Sequence, residues 1–268
     1  MLTQEALGLF ALGVLWLNSG LVFAVAFRQL THLLRLRGQL LAARRDGQLL
    51  EGTLAGGEGD VAAVRTLHQT GRAMTTKGPD RILFTDGAQS FEVRDATLDA
   101  GGESISLAPT RPAEAEVWLT PARVREGLAC GSADAFEAAW KPASKYKGFV
   151  RDVALEVRAG DRVWVWGERD GRTLRAPADR PMLVSMIDPV GWAGAAAGRC
   201  LGFLFGGVGL LGACTAVALW PPQFGLVSTI GGALCLVYFL AVQPLGTALR
   251  DAIKNPARRL EGALWQRP

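Results

Sequence analysis

Three stretches of this chain contain no charged residue: Ala6 to Phe27, Cys200 to Trp220 and Phe224 to Leu249. They constrain the fold more than any other feature, because backbone in hydrocarbon must satisfy its hydrogen bonds within its own segment. At about 1.5 Å per residue, each stretch is long enough as a helix to cross a layer of roughly 30 Å. No Lys or Arg precedes the first stretch and its apolar run is long, so it reads as a retained transmembrane helix and not a cleaved signal peptide. Pro221-Pro222-Gln223 separates the other two, because proline cannot continue a helix. Trp220 sits where an interfacial aromatic belongs, and Pro244 predicts a kink or an end near the last turn. The expected layout is one transmembrane helix in residues 1–27 and a helical hairpin over 199–249, built of 200–220 and 224–249.

The positions of the cations predict the orientation. All 29 Lys and Arg residues lie in 28–199 or 250–268. The positive-inside rule then places the N-terminus and hairpin tip outside, with the middle segment and the basic tail 250–268 in the cytoplasm. A bacterial inner membrane is the expected location. The abundance of Ala and Gly, and of Arg over Lys, suggests a GC-rich bacterial genome.

Polar and small residues within the spans are few. Asn18 and Ser19 are expected to form interhelical hydrogen bonds, and Gly202, Gly206 and Gly209 to give a close-packing face, within the chain or in a dimer. With no Asp, Glu, Lys, Arg or His in any stretch, the sequence offers no proton relay or ion path, which argues against a transporter or channel.

Residues 28–47 follow as a basic amphipathic helix, with Leu30, Leu33, Leu34, Leu40 and Leu41 at helical spacing. It either extends the first span or lies along the headgroups. Arg28, Arg35, Arg37, Arg44 and Arg45 would face an anionic leaflet, each contributing on the order of 1 kcal/mol near the surface.

The chain changes character over residues 48–190. Short runs such as Arg81–Phe84, Ser90–Val93, Ser104–Leu107, Ala115–Leu119, Ala154–Val157 and Arg162–Trp166 alternate with turn residues. Turns are expected at Asp86-Gly87, Ala100-Gly101-Gly102, Gly160-Asp161 and Asp170-Gly171. The fold class read from this is a membrane protein of α+β type, with three transmembrane helices and a cytoplasmic all-β domain resembling a barrel or sandwich. One short helix is expected at Ser132–Trp140, capped by Ser132.

Composition excludes several functions. With 49% hydrophobic and 20% charged residues and a mean hydropathy of +0.19, the chain is not disordered. The pI near 9.1 suggests a nucleic-acid partner until the charges are located. Between Asp46 and Asp188, 22 acidic residues face 18 basic ones, so the β segment is net −4 and the basic excess belongs to the membrane flanks. No nucleic-acid surface is therefore expected.

The chemical motifs are sparse. Cys130, Cys200, Cys214 and Cys235 have no paired spacing, which argues against a disulfide framework or a structural zinc site. No phosphate loop, dinucleotide fingerprint, zinc-protease helix or nucleophile elbow occurs, so no cofactor, metal or catalytic residue is assigned. His68 has no convincing partner in the sequence, and Cys130 has no nearby His and reads as a buried small hydrophobe. Trp164 and Trp166 occupy alternate positions of one strand and therefore share a face. That face is a candidate binding platform, although a core or packing role is the commoner use of such a pair.

Two segments carry a family resemblance. Ser90-Phe91-Glu92-Val93-Arg94-Asp95 resembles an F-x-[LV]-x-D strand, and Leu155-Glu156 through Gly160-Asp161-Arg162-Val163-Trp164-Val165-Trp166-Gly167-Glu168 resembles an E-x-x-[LI]-x-x-G-D-x-[VL]-x-V-x-G-E element. Both are similar to the GIDE/MULAN family, whose "beside-a-membrane" (BAM) domain lies between transmembrane spans. Pro181 and Val184-Ser185 fit that family's closing strand. The G-D turn followed by V-x-V-x-G is also similar to the OB-like domains of NfeD proteins. The eukaryotic ligases of the family end in a RING domain, whereas Arg250 to Pro268 holds no Cys/His cluster, so ligase activity is not carried over.

The expected function is a non-enzymatic scaffold, sensor or binding module held at the membrane. Its expected partners are the lipid bilayer and a protein, or a second copy met through the transmembrane helices. A ligase- or hydrolase-like enzyme by family descent is one alternative. A membrane stress or remodelling component of NfeD type is another.

Overall fold

A computed structural model describes residues 4–57, 60–73, 81–111, 114–129, 141–143, 148–219, 226–258 and 263–266. Helix α1 (Gln4–Arg45) comes first, followed by strands β1 (Leu49–Gly57), β2 (Val61–Ala73), β3 (Arg81–Val93), β4 (Ala96–Ala100), β5 (Glu103–Leu107) and β6 (Ala115–Trp118). Helix α2 (Pro121–Leu128) precedes β7 (Lys141–Ala143), β8 (Gly148–Arg158), β9 (Arg162–Trp166), β10 (Glu168–Asp170), β11 (Thr173–Arg175) and β12 (Met182–Ser185). Helices α3 (Pro189–Leu219) and α4 (Leu226–Ala252) and strand β13 (Ala263–Gln266) complete the order. The chain divides into two units, Met1–Gln39 with Val190–Lys254 and Leu40–Pro189 with Asn255–Pro268.

Among the described residues, the helical unit contains three helices long and apolar enough to cross a membrane. Helix α1 is one unbroken helix of 42 residues, so the span expected in 1–27 and the basic helix expected in 28–47 are a single rod. Gly38 does not interrupt it, because one glycine costs a helix only about 1 kcal/mol relative to Ala. Arg28, Arg35, Arg37, Arg44 and Arg45 are all exposed. Helix α3 begins eleven residues before the uncharged stretch, with Pro189 in its first turn, where a missing N–H costs nothing. Helix α4 runs through Pro244 without ending. The expected Pro221-Pro222-Gln223 turn and the Trp220 belt position lie outside the described residues.

Each helix packs against the other two. Phe23 of α1 meets Phe203 of α3 edge to face, with centroids 6.0 Å apart, and Trp16 Nε1 donates to Thr215 Oγ1 at 3.0 Å. Arg199 of α3 donates to the carbonyl of Ala252 at 3.0 Å, satisfying an orphan acceptor at the end of α4. Asn18 Oδ1 accepts from Gln243 Nε2, tying α1 to α4, while Ser19 bonds back to the Leu15 carbonyl of its own helix. Within the chain, the close-approach glycines are others than Gly202, Gly206 and Gly209, and these contacts bear on the intramolecular alternative only, not on a dimer contact of that face. A Cβ at Gly202, Gly206 or Gly209 would meet nothing within 4 Å, whereas one at Gly207 would lie 2.7 Å from Phe23 and one at Gly246 2.7 Å from Val22. Spacing identified a small-residue face on α3, but the helix turns the neighbouring glycine inward. Replacing Asn18 with Leu is expected to cost the helical unit about 0.6–1.7 kcal/mol, read as a lower midpoint in SDS-titration unfolding of the full chain.

The second unit folds as two sheets around one core. The larger has strand order β10-β11-β5-β4-β1-β9-β12-β6 and the smaller β13-β3-β2-β8-β7. Leu54, Leu98, Ile105, Val163, Val165 and Val184 of the first sheet bury against Leu67, Val93, Leu155 and Val157 of the second. The expected turns at Gly101-Gly102, Gly160 and Gly171 are present, each with positive φ, which glycine adopts without a steric penalty. Asp161 completes its turn by accepting from the Arg158 N–H at 2.8 Å.

Three features differ from expectation. Asp86-Gly87 is not a turn, because Arg81–Val93 is one strand. Its register against β2 jumps from Leu67↔Gln89 to Gln69↔Asp86, so Gly87 and Ala88 form a bulge opposite His68. Glycine marks bulges as readily as turns, and a Cβ at Gly87 would press the His68 carbonyl at 3.2 Å. Helix α2 was not anticipated, though Thr120 caps it by accepting from the Arg123 N–H at 3.3 Å and Pro121 opens it. The helix expected at Ser132–Trp140 lies outside the described residues. The segment expected as a basic tail contributes β13, which pairs antiparallel with β3 from Ala263↔Phe84 to Gln266↔Arg81.

Candidate functional site

A dense polar arrangement among the described residues of the second unit lies on strands β2, β3 and β8. These strands are antiparallel neighbours, with register His68↔Asp152, Gln69↔Arg151 and Thr70↔Val150 on one side and Thr70↔Thr85 and Gln69↔Asp86 on the other. Alternation sends odd-numbered β2 residues to one face and even-numbered ones to the other. The ribbon therefore carries two polar layers, one buried and one exposed.

The buried layer is built on charge. Arg65 is 1% exposed, Gln69 0% and Arg151 4%. Arg151 Nε donates to Gln69 Oε1 at 2.7 Å, and Gln69 Nε2 donates to Asp86 Oδ1. The amide thus turns its acceptor to the cation and its donor to the anion, and its flanking charges set its orientation. The Arg151 guanidinium also lies 3.9 Å from the Phe84 ring centroid and donates to the Leu128 carbonyl. Arg65 donates to the Pro256 carbonyl at 3.1 Å. Buried cations are tolerated only when paired and hydrogen-bonded, so this layer holds the three strands and the returning C-terminal segment in register.

The exposed layer is the candidate site. His68 Nδ1 is paired with Asp152 Oδ1, and the two side chains are 48% and 64% exposed. A carboxylate accepts, so Nδ1 is the donor in this pair, which fixes the orientation of the ring. Beside the pair, Thr70 and Thr85 hydroxyls are 3.2 Å apart, and Val150 is 40% exposed. The face thus offers an oriented imidazole, a carboxylate, two hydroxyls and an apolar spot on a rigid ribbon. Among the described residues, no Ser, Thr or Cys side chain bonds to His68, and no group of three metal-ligating side chains forms.

The tryptophan pair shares one face of β9, as expected. Trp166 is only 6% exposed and lies beneath Arg180, whose guanidinium is 3.8 Å from the ring centroid. Trp164 is half-buried, with Arg162 at 6.0 Å. Trp166 therefore has little surface to offer a ligand and packs as part of the wall. Cys130 lies outside the described residues. No sequence signal links His68 to its partner, because Asp152 is 84 residues away and only the antiparallel register joins them.

Comparison with protein-family models, curated proteins and solved structures found no match for this chain.

Proposed function

We propose that the chain is a three-span protein of the bacterial inner membrane that presents its β unit to the cytoplasm as a partner-binding module without catalytic activity of its own. The reading is carried by the exposed polar face of the ribbon, where His68, Asp152, Thr70, Thr85 and Val150 offer recognition chemistry on rigid strands. The three apolar helices and the distribution of cations support the membrane setting and the orientation. The resemblance of 155–168 to the GIDE/MULAN element supports the same placement of a β-domain beside a bilayer.

An exposed ion pair contributes at most about 1 kcal/mol to stability, so folding depends little on the His68–Asp152 pair. A photo-crosslinking residue at position 70 or 85, in the full chain in native membranes, is expected to give a discrete adduct that the same residue at Ser104 does not. Equal labelling at all three positions would remove the ribbon face from the reading. A reporter inserted at the exposed Gly101-Gly102 turn is expected to report the cytoplasm, and a periplasmic signal there overturns the orientation.

A further inference from the structure

Within the helical unit, α1, α3 and α4 enclose a groove of about 240 Å³. Its apolar lining includes Leu21, Val22 and Val25 of α1 and Phe203 of α3; Gln243 and Thr247 of α4 also line it, and Gln29 and Arg250 form its polar end. Leu21 and Val25 are 64% and 54% exposed, so the groove opens sideways between helices and is not an enclosed cavity. Its volume is below the roughly 300–1,000 Å³ typical of small-molecule pockets, and it suits a length of one extended hydrocarbon chain better than a compact solute.

The polar end lies at a definite level of the helices. Arg250 is the first charged residue after the third uncharged stretch, and Gln29 adjoins Arg28, the first after the first stretch. Both mark the boundary between hydrocarbon and headgroups. Among the described residues, the side chains of Gln29 and Arg250 make no intramolecular hydrogen bond or ion pair. The neighbouring Asp251 pairs with Lys254 at 3.2 Å. An unpaired guanidinium and an amide donor at the mouth of an apolar groove complement one ligand shape, a phosphate diester on an acyl chain.

We infer that this groove binds one anionic glycerophospholipid from the basic-side leaflet, with its phosphate on Arg250 and Gln29 and an acyl chain along Leu21, Val22 and Val25. The inference rests on the membrane-spanning reading above. A zwitterionic lipid would lay its chain in the same groove, and its own cation would oppose Arg250. The selectivity therefore comes from charge and the occupancy from shape.

The test is native mass spectrometry of the full chain released from detergent after equal loading with dioleoyl phosphatidylglycerol or dioleoyl phosphatidylcholine. One phosphatidylglycerol adduct is expected, about fivefold more occupied than the phosphatidylcholine adduct, as one cation at a lipid surface implies. Arg250→Gln is expected to abolish that preference and Arg250→Lys to keep most of it. Val25→Trp, which fills the open wall, is expected to remove the adduct of either lipid, and Lys254→Gln to change nothing. Equal occupancy by the two lipids, or a preference that survives Arg250→Gln, overturns the proposal. Displacement of the adduct by millimolar inorganic phosphate also overturns it, because the site would then read a free anion. Alkaline carbonate extraction of the same membranes separates the two levels. Release of the chain defeats the membrane-spanning reading itself, whereas a retained chain without lipid preference defeats only this inference.

Discussion

Deletion of residues 255–268 is expected to lower the thermal midpoint of the β unit by about 6–12 °C, from a loss of roughly 3 kcal/mol in a unit of this size. The segment looks dispensable by composition, being short, basic and beyond the last apolar helix. Its contacts say otherwise. Pro256 supplies the carbonyl that accepts from Arg65, a guanidinium 1% exposed. Removing an acceptor from a buried charged donor costs more than the net worth of the bond, because the donor stays desolvated. Asn255 bonds Glu116 at 2.6 Å and Ala257 is fully buried, so two further anchors are lost with it. Strand β13 covers the edge of β3, and its removal exposes unpaired backbone able to recruit another chain. The measurement is thermal unfolding of the detergent-solubilised full chain, followed by its β-sheet circular dichroism. A midpoint within about 2 °C of wild type would show that the returning segment contributes little. The replacement Arg65→Met, of similar length and uncharged, is expected to tolerate the same deletion better, since it leaves no orphaned donor.

Gly52→Ala is expected to destabilise the β unit by about 1–3 kcal/mol, the usual range for atoms forced into a packed site. Backbone propensity predicts the opposite sign, since Gly within a strand is unfavourable relative to Ala by roughly 0.5–1 kcal/mol. Geometry decides between them. A Cβ at Gly52 would lie 2.4 Å from the Asp99 carbonyl oxygen and 2.9 Å from its carbon, and both are backbone atoms that cannot rotate aside. Gly52 sits on β1 between β4 and β9, so relief requires parting a ladder in the middle of the larger sheet. Gly127→Ala gives a useful contrast. Its Cβ would meet the Leu155 Cδ2 at 2.2 Å, a side-chain tip that can move, so the cost should be smaller. A Gly52→Ala chain as stable as wild type in chemical unfolding would mean that the sheet flexes at this point.

Much of the local structure was legible because its causes are local. Uncharged runs long enough to cross a bilayer became the three long helices, since a helix satisfies its backbone within one segment. Gly101-Gly102, Gly160-Asp161 and Asp170-Gly171 became turns because they permit positive φ between strands. The same reasoning misread Asp86-Gly87, where glycine relieves a bulge inside one long strand. It also passed over β1, β2 and β4, whose Gly, Ala and Thr content weakens the alternating signal. On α3 it selected Gly202, Gly206 and Gly209 by spacing, while the side facing Phe23 is set by the partner helix.

By itself, the sequence determined which segments are apolar enough to span a bilayer, where the charge sits and where the chain can turn. These follow from the hydrophobicity, charge and φ preferences of single residues or short runs. Only the tertiary structure decided that His68 meets Asp152, that Gln69 bridges Arg151 and Asp86, and that the last strand returns to the edge of β3. Each of those contacts joins residues far apart in the chain through strand register, and a slip of one residue would turn every one of them to the opposite face.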